Sequence, residues 1–313
     1  MLCCVVTSAY LSIVQYLFWR AQALKMTINT DLAREPVRTA LLLAAGTGSR
    51  LAPLTDMTPK CLVPVNEIPI LERLICSLKD HNFLRLVVVI GHQADCIRDY
   101  LGTRRGGMDI TYITSPLYKT TNNIYSLWLA RDVIDEPFLL IESDLVFDTD
   151  MLTDMLYPDR VAVAKIESWM NGTTVSINNK MEVDAFHCGA QTAAGQQYKT
   201  VNIYSLSAAT WKLVIERMNY HISNNMVNGY YETVFADMVK EESLFFTPVF
   251  FDSNSWYEID TITDLRAAEL VCNSNDQPPS CTIGSLLNSS RDVNYLPVTR
   301  VPEAMAQTSK LLQ

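Results

Sequence analysis

Leu42–Lys60 read LLAAGTGSRLAPLTDMTPK. The apolar run Leu41–Ala45 is short and ends in Gly46-Thr47-Gly48-Ser49-Arg50, the pattern of a buried strand that delivers a tight loop. Gly46 and Gly48 let the backbone turn and approach a ligand with no Cβ in the way. The N–H groups of such a loop form a concave anion site. Arg50 adds a planar guanidinium suited to phosphate oxygens, and Lys60, held by Pro59 before it, offers a second cation. A dinucleotide-binding fingerprint needs a third glycine, where this chain has Leu51, and a Walker A loop needs Gly-Lys-Ser/Thr. A plain strand–turn is the bland alternative, and it leaves Arg50 and Lys60 without a task.

Outward from this loop the apolar pattern repeats. Leu86–Ile90 (LVVVI, then Gly91) and Phe138–Ile141 (FLLI) read as further buried strands, and Ile110–Thr114 as another. Helical spacing predicts helices over Ile70–Leu78, Ala94–Leu101 and Asn123–Arg131. Fully apolar strands alternating with helices predict a mostly parallel sheet covered on both faces. The second half changes character. Val161–Lys165, Thr173–Ile177, Glu182–His187 and Val201–Leu206 read as strands joined by turns such as Asn171-Gly172, a small β region laid over the edge of the sheet. Helices over about 208–222 and 231–241, a strand over 244–250 and a helix over Ile262–Cys272 complete the core.

The domain is expected to span 38–272. Residues 1–37 read as an extension outside the fold, and 273–313, rich in Asn, Ser and Pro at its start, as a polar tail or linker. Residues 1–19 carry no charged side chain, nearly the length of a membrane span. Ala21-Gln22-Ala23 resembles a signal-peptidase site, but no basic segment precedes the apolar run. Residues 1–25 read first as an upstream extension ahead of Met26, then as an anchor, and last as a cleaved signal. A membrane is a partner only in the second case.

With 313 residues and 49% apolar side chains, a sizeable core is available; the net charge of −9 argues against nonspecific nucleic-acid binding. The eight cysteines include no Cys-x-x-Cys pair and no zinc spacing, which suits reduced thiols in a cytoplasmic protein. The four histidines are scattered along the chain.

Two carboxylates stand out. Asp144 follows the strand FLLI in Glu142-Ser143-Asp144, at the carboxyl end where open α/β sheets bind ligands, and Asp260 ends Trp256-Tyr257-Glu258-Ile259-Asp260. Each has a structural alternative: a strand-end turn for Asp144, and the N-cap of the following helix for Asp260. The polar runs around Asn122-Asn123 and Lys199–Tyr204 offer hydrogen bonds to a nucleotide or acceptor, against helix capping and strand alternation. Trp169, Tyr230, Tyr231, Trp256 and Tyr257 offer either aromatic faces for a cationic head group or core packing. Glu232 and Glu258 could instead meet a primary ammonium.

The stretch LAAGTGSRLAPLTDMTPK resembles the signature of the sugar-phosphate and choline-phosphate nucleotidyltransferase superfamily, L-A-A-G-x-G-x-R-L-x-P-L-T followed by P-K. The resemblance covers about residues 38–272. It implies a Rossmann-like α/β fold with a mostly parallel mixed sheet, as in nucleotide-diphospho-sugar transferases. It also implies that Gly46, Gly48, Arg50 and Lys60 hold the NTP phosphates, with Ala44, Ala45, Thr47, Ser49, Gly91 and Asn123 completing the nucleotide site. Asp144 and Asp260 would hold Mg²⁺. The Asn-Asn-x-Tyr-Ser run, the Glu-Ser-Asp strand end, the Asn-Gly-Thr turn and Trp-Tyr-Glu-Ile-Asp resemble the LicC-like cytidylyltransferase branch, which acts on phosphocholine or on phosphonates. KTVNIY, Lys199–Tyr204, is closer to the phosphonate group. The resemblance therefore implies CMP transfer from CTP to a small acceptor such as 2-aminoethylphosphonate, with phosphocholine as the alternative. Lys199, Asn202, Trp169, Tyr231 and Glu258 are the expected acceptor contacts. The acceptor oxygen is already an anion, so no histidine base is needed. A sugar-1-phosphate nucleotidyltransferase and a non-catalytic nucleotide-sensing module are the other readings, and the sequence leaves room for a homodimer.

Overall fold

The structure, a computed structural model, describes residues 36–189 and 195–272. The apolar run of residues 1–25 and the 273–313 tail lie outside the described residues. Strands β1 (Thr39–Ala44), β2 (Pro64–Val65), β3 (Ile68–Pro69), β4 (Arg85–Ile90), β5 (Arg104–Arg105), β6 (Met108–Thr114) and β7 (Phe138–Glu142) make up the first half. Strands β8 (Leu145–Phe147), β9 (Arg160–Lys165), β10 (Thr174–Ile177), β11 (Val183–His187), β12 (Gln197–Leu206), β13 (Thr247–Phe251) and β14 (Trp256–Glu258) follow. The helices are α1 (Ile70–Asp80), α2 (Ala94–Leu101), α3 (Asn123–Leu129), α4 (Ala208–Ser223), α5 (Tyr231–Lys240) and α6 (Ile262–Cys272).

β1 lies at the centre, parallel to β4 and to β7, with β6 parallel beyond β4. Its side chains alternate strictly, as the two-residue period of a strand requires. Ala40, Leu42 and Ala44 pack on the face covered by Leu71, Leu74 and Leu78 of α1 and Ile97 of α2. Leu41, Leu43 and Ala45 pack on the face covered by α3, α4 and α5 through Leu127, Trp211 and Phe235. A strand buried on both faces needs an unbroken apolar run, which is what Leu41–Ala45 supplies. The packed part takes in Val37 as well, one residue ahead of the boundary expected at 38: its side chain is buried, and its N–H donates to the Leu156 carbonyl at 2.7 Å.

The later strands are not a layer laid over the sheet. β12 pairs antiparallel with β7, and β9, β10, β11 and β13 continue from it into one ten-stranded mixed sheet. The free hydrogen-bonding edge of β7 accounts for this, since its N–H and C=O groups need partners. Several boundaries also differ from expectation, β12 most of all, which begins at Gln197 and not at Val201. α3 ends at Leu129 and passes into a 3-10 turn over Ala130–Asp132, and the strand expected over 244–250 begins only at Thr247.

One pairing has no counterpart in the sequence reading. β8 and β14 form a separate antiparallel pair, with Leu145 opposite Glu258, and the Ile259 N–H donates to the Asp144 carbonyl at 2.9 Å. Together with Leu51, Val63, Val65 and Leu265 they make a third apolar cluster. This cluster fixes the phosphate-type loop against the strand ends. Among the described residues, no helix is long and apolar enough to cross a membrane.

Candidate active site

The loop after β1 turns at Gly48, whose φ of 62° lies in the left-handed region. A Cβ there would stand 3.1 Å from Thr55 Cγ2 and 3.2 Å from Lys60 Cβ. Gly48 thus serves both the turn and the close approach of Lys60 to the loop. The Gly48 carbonyl accepts from Thr55 Oγ1 at 2.8 Å and from the Leu51 N–H at 2.9 Å, which closes the 3-10 turn carrying Ser49 and Arg50. A Cβ on Gly46 would meet nothing within 4 Å, so that glycine leaves open space above the loop.

Lys60 reaches across the site. Its Nζ donates to Asp144 Oδ2 and to Asp260 Oδ1, both at 2.7 Å, from 84 and 200 residues away in the chain. Arg50 Nη2 donates to the same Asp260 oxygen at 2.7 Å. Burial, the largest influence on Lys60, works against its ammonium, but Asp144 and Asp260 outweigh it and hold the pKa above the ordinary lysine value. Asp260 is not the N-cap of α6. Thr261 and Asp264 do that work: Asp264 Oδ2 accepts from the Asp260 and Thr261 N–H groups, and Thr261 Oγ1 accepts from the Asp264 N–H. This reciprocal cap leaves the Asp260 carboxylate to face Lys60.

Asp144 and Asp260 share one cation across the cavity, and the second Asp144 oxygen, Oδ1, is buried without a hydrogen-bond partner. Two carboxylates with unused acceptor capacity suit Mg²⁺, which takes one or two carboxylates and completes its shell with water and substrate phosphates.

A second group of charges lines the same cavity, which holds about 540 Å³. Lys199 is 2% exposed; its Nζ donates to the Thr200 carbonyl at 2.5 Å and lies 3.5 Å from Glu258 Oε2. Asn202 adopts a φ of 58°, a conformation Asn tolerates, at the point where the pairing of β12 with β9 shifts register. From there its Nδ2 donates to Glu258 Oε1 at 3.2 Å. Burial first, then Asp144 and Asp260, push the Glu258 carboxyl up to about 7, with Lys199 and Lys60 pulling it back. Glu232 is likewise pushed up to about 7 by burial. Glu142 is driven well above the carboxylate range by burial and by Asp144, Glu232 and Glu258.

Residues 39–187 match the nucleotidyl transferase family. Those residues carry a nucleotidyl transferase domain. The chain is 31% identical over 252 residues to CMP-5'-(3-aminopropyl)phosphonate synthase of Streptomyces rubellomurinus, covering 75% of this chain and 38% of that protein. It is 26% identical over 237 residues to choline-phosphate cytidylyltransferase of Streptococcus pneumoniae, covering 76% of this chain and 99% of that protein. Against 2-aminoethylphosphonate cytidylyltransferase of Lancefieldella rimae the identity is 38% over 112 residues, 36% of this chain and 45% of that one. The chain thus spans less than half of two of these relatives and nearly all of the third. A solved structure of CTP:phosphocholine cytidylyltransferase from Streptococcus pneumoniae matches with a TM-score of 0.64 at 24% identity, covering 75% of this chain and 99% of that one. That likeness shows the fold.

Ala45, Gly46, Gly48, Ser49, Arg50, Lys60, Asn123, Asp144, Lys199, Asn202, Glu258 and Asp260 all line the same cavity. Ala44, Thr47, Gly91, Trp169 and Tyr231 do not. Ala44 belongs to the core. Gly91 answers to packing: a Cβ on it would come within 2.8 Å of the Ala45 carbonyl oxygen and of Tyr118 Cβ. Trp169 stacks on Tyr257 with ring centres 4.0 Å apart, and Tyr231 is fully buried against Tyr204 and Phe235. Asn123 faces the cavity, but its amide is engaged, with Nδ2 donating to Glu142 Oε1 at 3.0 Å and Oδ1 accepting from the Tyr231 N–H at 3.1 Å. Sequence reasoning gave Glu142 no task and missed Tyr118 and Cys188, which also line the cavity. No periodicity marks such residues, because only tertiary contacts aim them inward.

Proposed function

We propose that this nucleotidyl transferase moves CMP from CTP to a small phosphonate or phosphate monoester, 2-aminoethylphosphonate above others, releasing pyrophosphate. The observation that carries the reading is the Lys60 ammonium bridging Asp144 and Asp260 beside the Gly46–Arg50 loop. The loop amides, Arg50 and Lys60 are placed to take the triphosphate. Asp144 and Asp260 would hold Mg²⁺, which when bound neutralises charge on the phosphates. The acceptor oxygen attacks the α-phosphorus of CTP; the new P–O bond forms as the bond to the bridging oxygen breaks, and pyrophosphate leaves with that electron pair. The nucleophile is already ionised, so no base is required, and none of the four histidines lines the cavity. Catalysis then rests on alignment and on charge placed ahead of the reaction. We place the activity in the cytoplasm, where CTP is available.

Phosphocholine is the second reading, supported by the relative matched along 99% of its length. A quaternary ammonium wants aromatic faces, and among the described residues only Tyr118 and Tyr230 of the aromatic side chains line the cavity. The test is pyrophosphate release with CTP and Mg²⁺, with 2-aminoethylphosphonate and phosphocholine offered separately. Turnover with the phosphonate, lost by about 10³-fold or more in Asp144→Asn, is expected. Preference for phosphocholine favours the second reading, and silence with both acceptors refutes cytidylyl transfer to either.

A further inference from the structure

Three carboxyl groups in the cavity wall, Glu232 buried and Glu142 and Glu258 part-buried, are left over once the loop, Lys60, Asp144 and Asp260 are assigned to the triphosphate and its metal. Glu142 ends β7, Glu258 ends β14 and Glu232 lies in the first turn of α5. The protein holds them in place. Through Asn123, one amide ties Glu142 to the start of the helix that carries Glu232. Through Asn202, another fixes Glu258. Lys199 is the buried cation among them, and it is already committed to Glu258 and to the Thr200 carbonyl. Glu232 differs from the other two. It is 4% exposed, it lines the cavity, and its Oε2 is buried without a hydrogen-bond partner.

A buried carboxylate oxygen left in that state costs free energy until something donates to it. A primary ammonium answers the need, being small, cationic and a donor of three N–H bonds. A quaternary ammonium has no N–H to give, and beyond Tyr118 and Tyr230 the aromatic faces offered by the sequence lie outside the cavity wall, where Trp169 stacks on Tyr257 and packs at a tilt against Trp256. We propose that Glu232 is the specificity-determining residue of the acceptor site, receiving the primary ammonium of an aminoalkyl phosphonate or phosphate at Oε2, with Glu142 and Glu258 completing the acidic wall. The proposal rests on the cytidylyl-transfer reading above and adds to it the group that reads the acceptor.

The charges around Glu232 give the proposal a pH signature. Lys199 and Tyr204 on β12, Glu142 on β7, Glu258 on β14, Tyr231 on α5 and Cys188 after β11 all act on it electrostatically. With the Glu232 carboxyl at about 7 and its Oε2 buried in the cavity wall, an ammonium binds the form that gains charge as pH rises. KM for an aminated acceptor should therefore fall between about pH 6 and 8, while KM for an amine-free acceptor stays level.

The experiment compares 2-aminoethylphosphonate with ethylphosphonate, in wild type and Glu232→Gln, by pyrophosphate release with CTP and Mg²⁺ across that pH range. The wild type is expected to favour the aminated acceptor by about 10²-fold or more in kcat/KM. In Glu232→Gln that preference collapses through KM, ethylphosphonate turnover stays within about threefold, and the pH dependence of KM flattens. An unchanged rise in melting temperature on CTP addition shows that the variant is folded. If it does not fold, the wild-type preference and its pH profile still decide. Equal wild-type use of the two acceptors overturns the proposal, as does an equal loss on both in the variant. Wild-type silence with both refutes cytidylyl transfer itself, a separate failure.

Discussion

Replacing Lys60 by Met removes the one ammonium that Asp144 and Asp260 share. In the folded protein its Nζ stands 2.7 Å from an oxygen of each, with side chains 14%, 12% and 7% exposed for Lys60, Asp144 and Asp260. What remains is two buried carboxylates and, on Asp260, the guanidinium of Arg50, whose side chain is 64% exposed. Stripping one partner from a buried ion pair costs about 3–5 kcal/mol, and the residual Arg50 contact places this case near about 3 kcal/mol. For a domain of this size each kcal/mol moves the melting temperature by about 2–4 °C, so Tm should fall by roughly 6–12 °C. The Lys60 pKa lies above the ordinary value. A group shifted in that direction contributes its full stability below the unfolded-state value near about 10.4, so the deficit should hold steady from about pH 6 to 9. If, as proposed, the same ammonium stabilises the departing pyrophosphate, its loss should lower kcat by about 10²–10³-fold. Scanning calorimetry and pyrophosphate release measure the two effects. The double variant Lys60→Met/Asp260→Asn should regain part of the lost Tm, because one of the opposed charges is gone. A variant with Tm within about 2 °C of wild type and kcat within about threefold would refute the reasoning.

Other consequences are open to measurement. Gly48→Ala forces a side chain into a left-handed position with Thr55 and Lys60 at 3.1–3.2 Å; it should cost about 1–2 kcal/mol and raise KM for CTP, read by thermal melts and initial rates. Asn123→Ala unpairs Glu142 Oε1 and the Tyr231 N–H together; a loss of about 1–3 kcal/mol in urea unfolding is expected, with a larger KM for the acceptor than for CTP. Glu232 and Glu258, held at about 7, bind protons more tightly folded than unfolded. Their contribution favours folding below about pH 4.5 and is lost as pH rises through about 7, so Glu232→Gln should flatten the fall in ligand-free Tm over that interval.

The fold was largely legible in Leu42–Lys60 and in the apolar runs around it. A strand covered on both faces must be apolar at every position, so Leu41–Ala45, Leu86–Ile90 and Phe138–Ile141 announce a parallel sheet with helices on each side. Gly46 and Gly48 announce the tight loop that follows, because a left-handed turn with Lys60 packed close to it needs a residue without Cβ. Patterning is weaker where residues serve contacts between distant parts of the chain. Val161–Lys165 and Val201–Leu206 show their strand character, but not that β12 completes the edge of β7.

The site divides in the same way. The sequence by itself determined the loop, and it singled out Lys60, Asp144 and Asp260 as residues of the right chemistry. It left open whether Asp260 capped a helix, and it offered Trp169 and Tyr231 as acceptor contacts on residue type alone. Only the tertiary structure decided those points. The β8–β14 pair seats Asp260 beside Asp144, the Thr261–Asp264 cap frees its carboxylate, and Lys60 joins the two. Tyr231 goes into the core and Trp169 stacks, part-buried, on Tyr257, whereas Glu142, Glu232 and Glu258 are gathered in one wall from β7, α5 and β14. Local sequence sets the conformation of a few neighbouring residues; which distant charges share a buried space depends on how the strands pair and the faces pack, and that is settled only when the whole core closes.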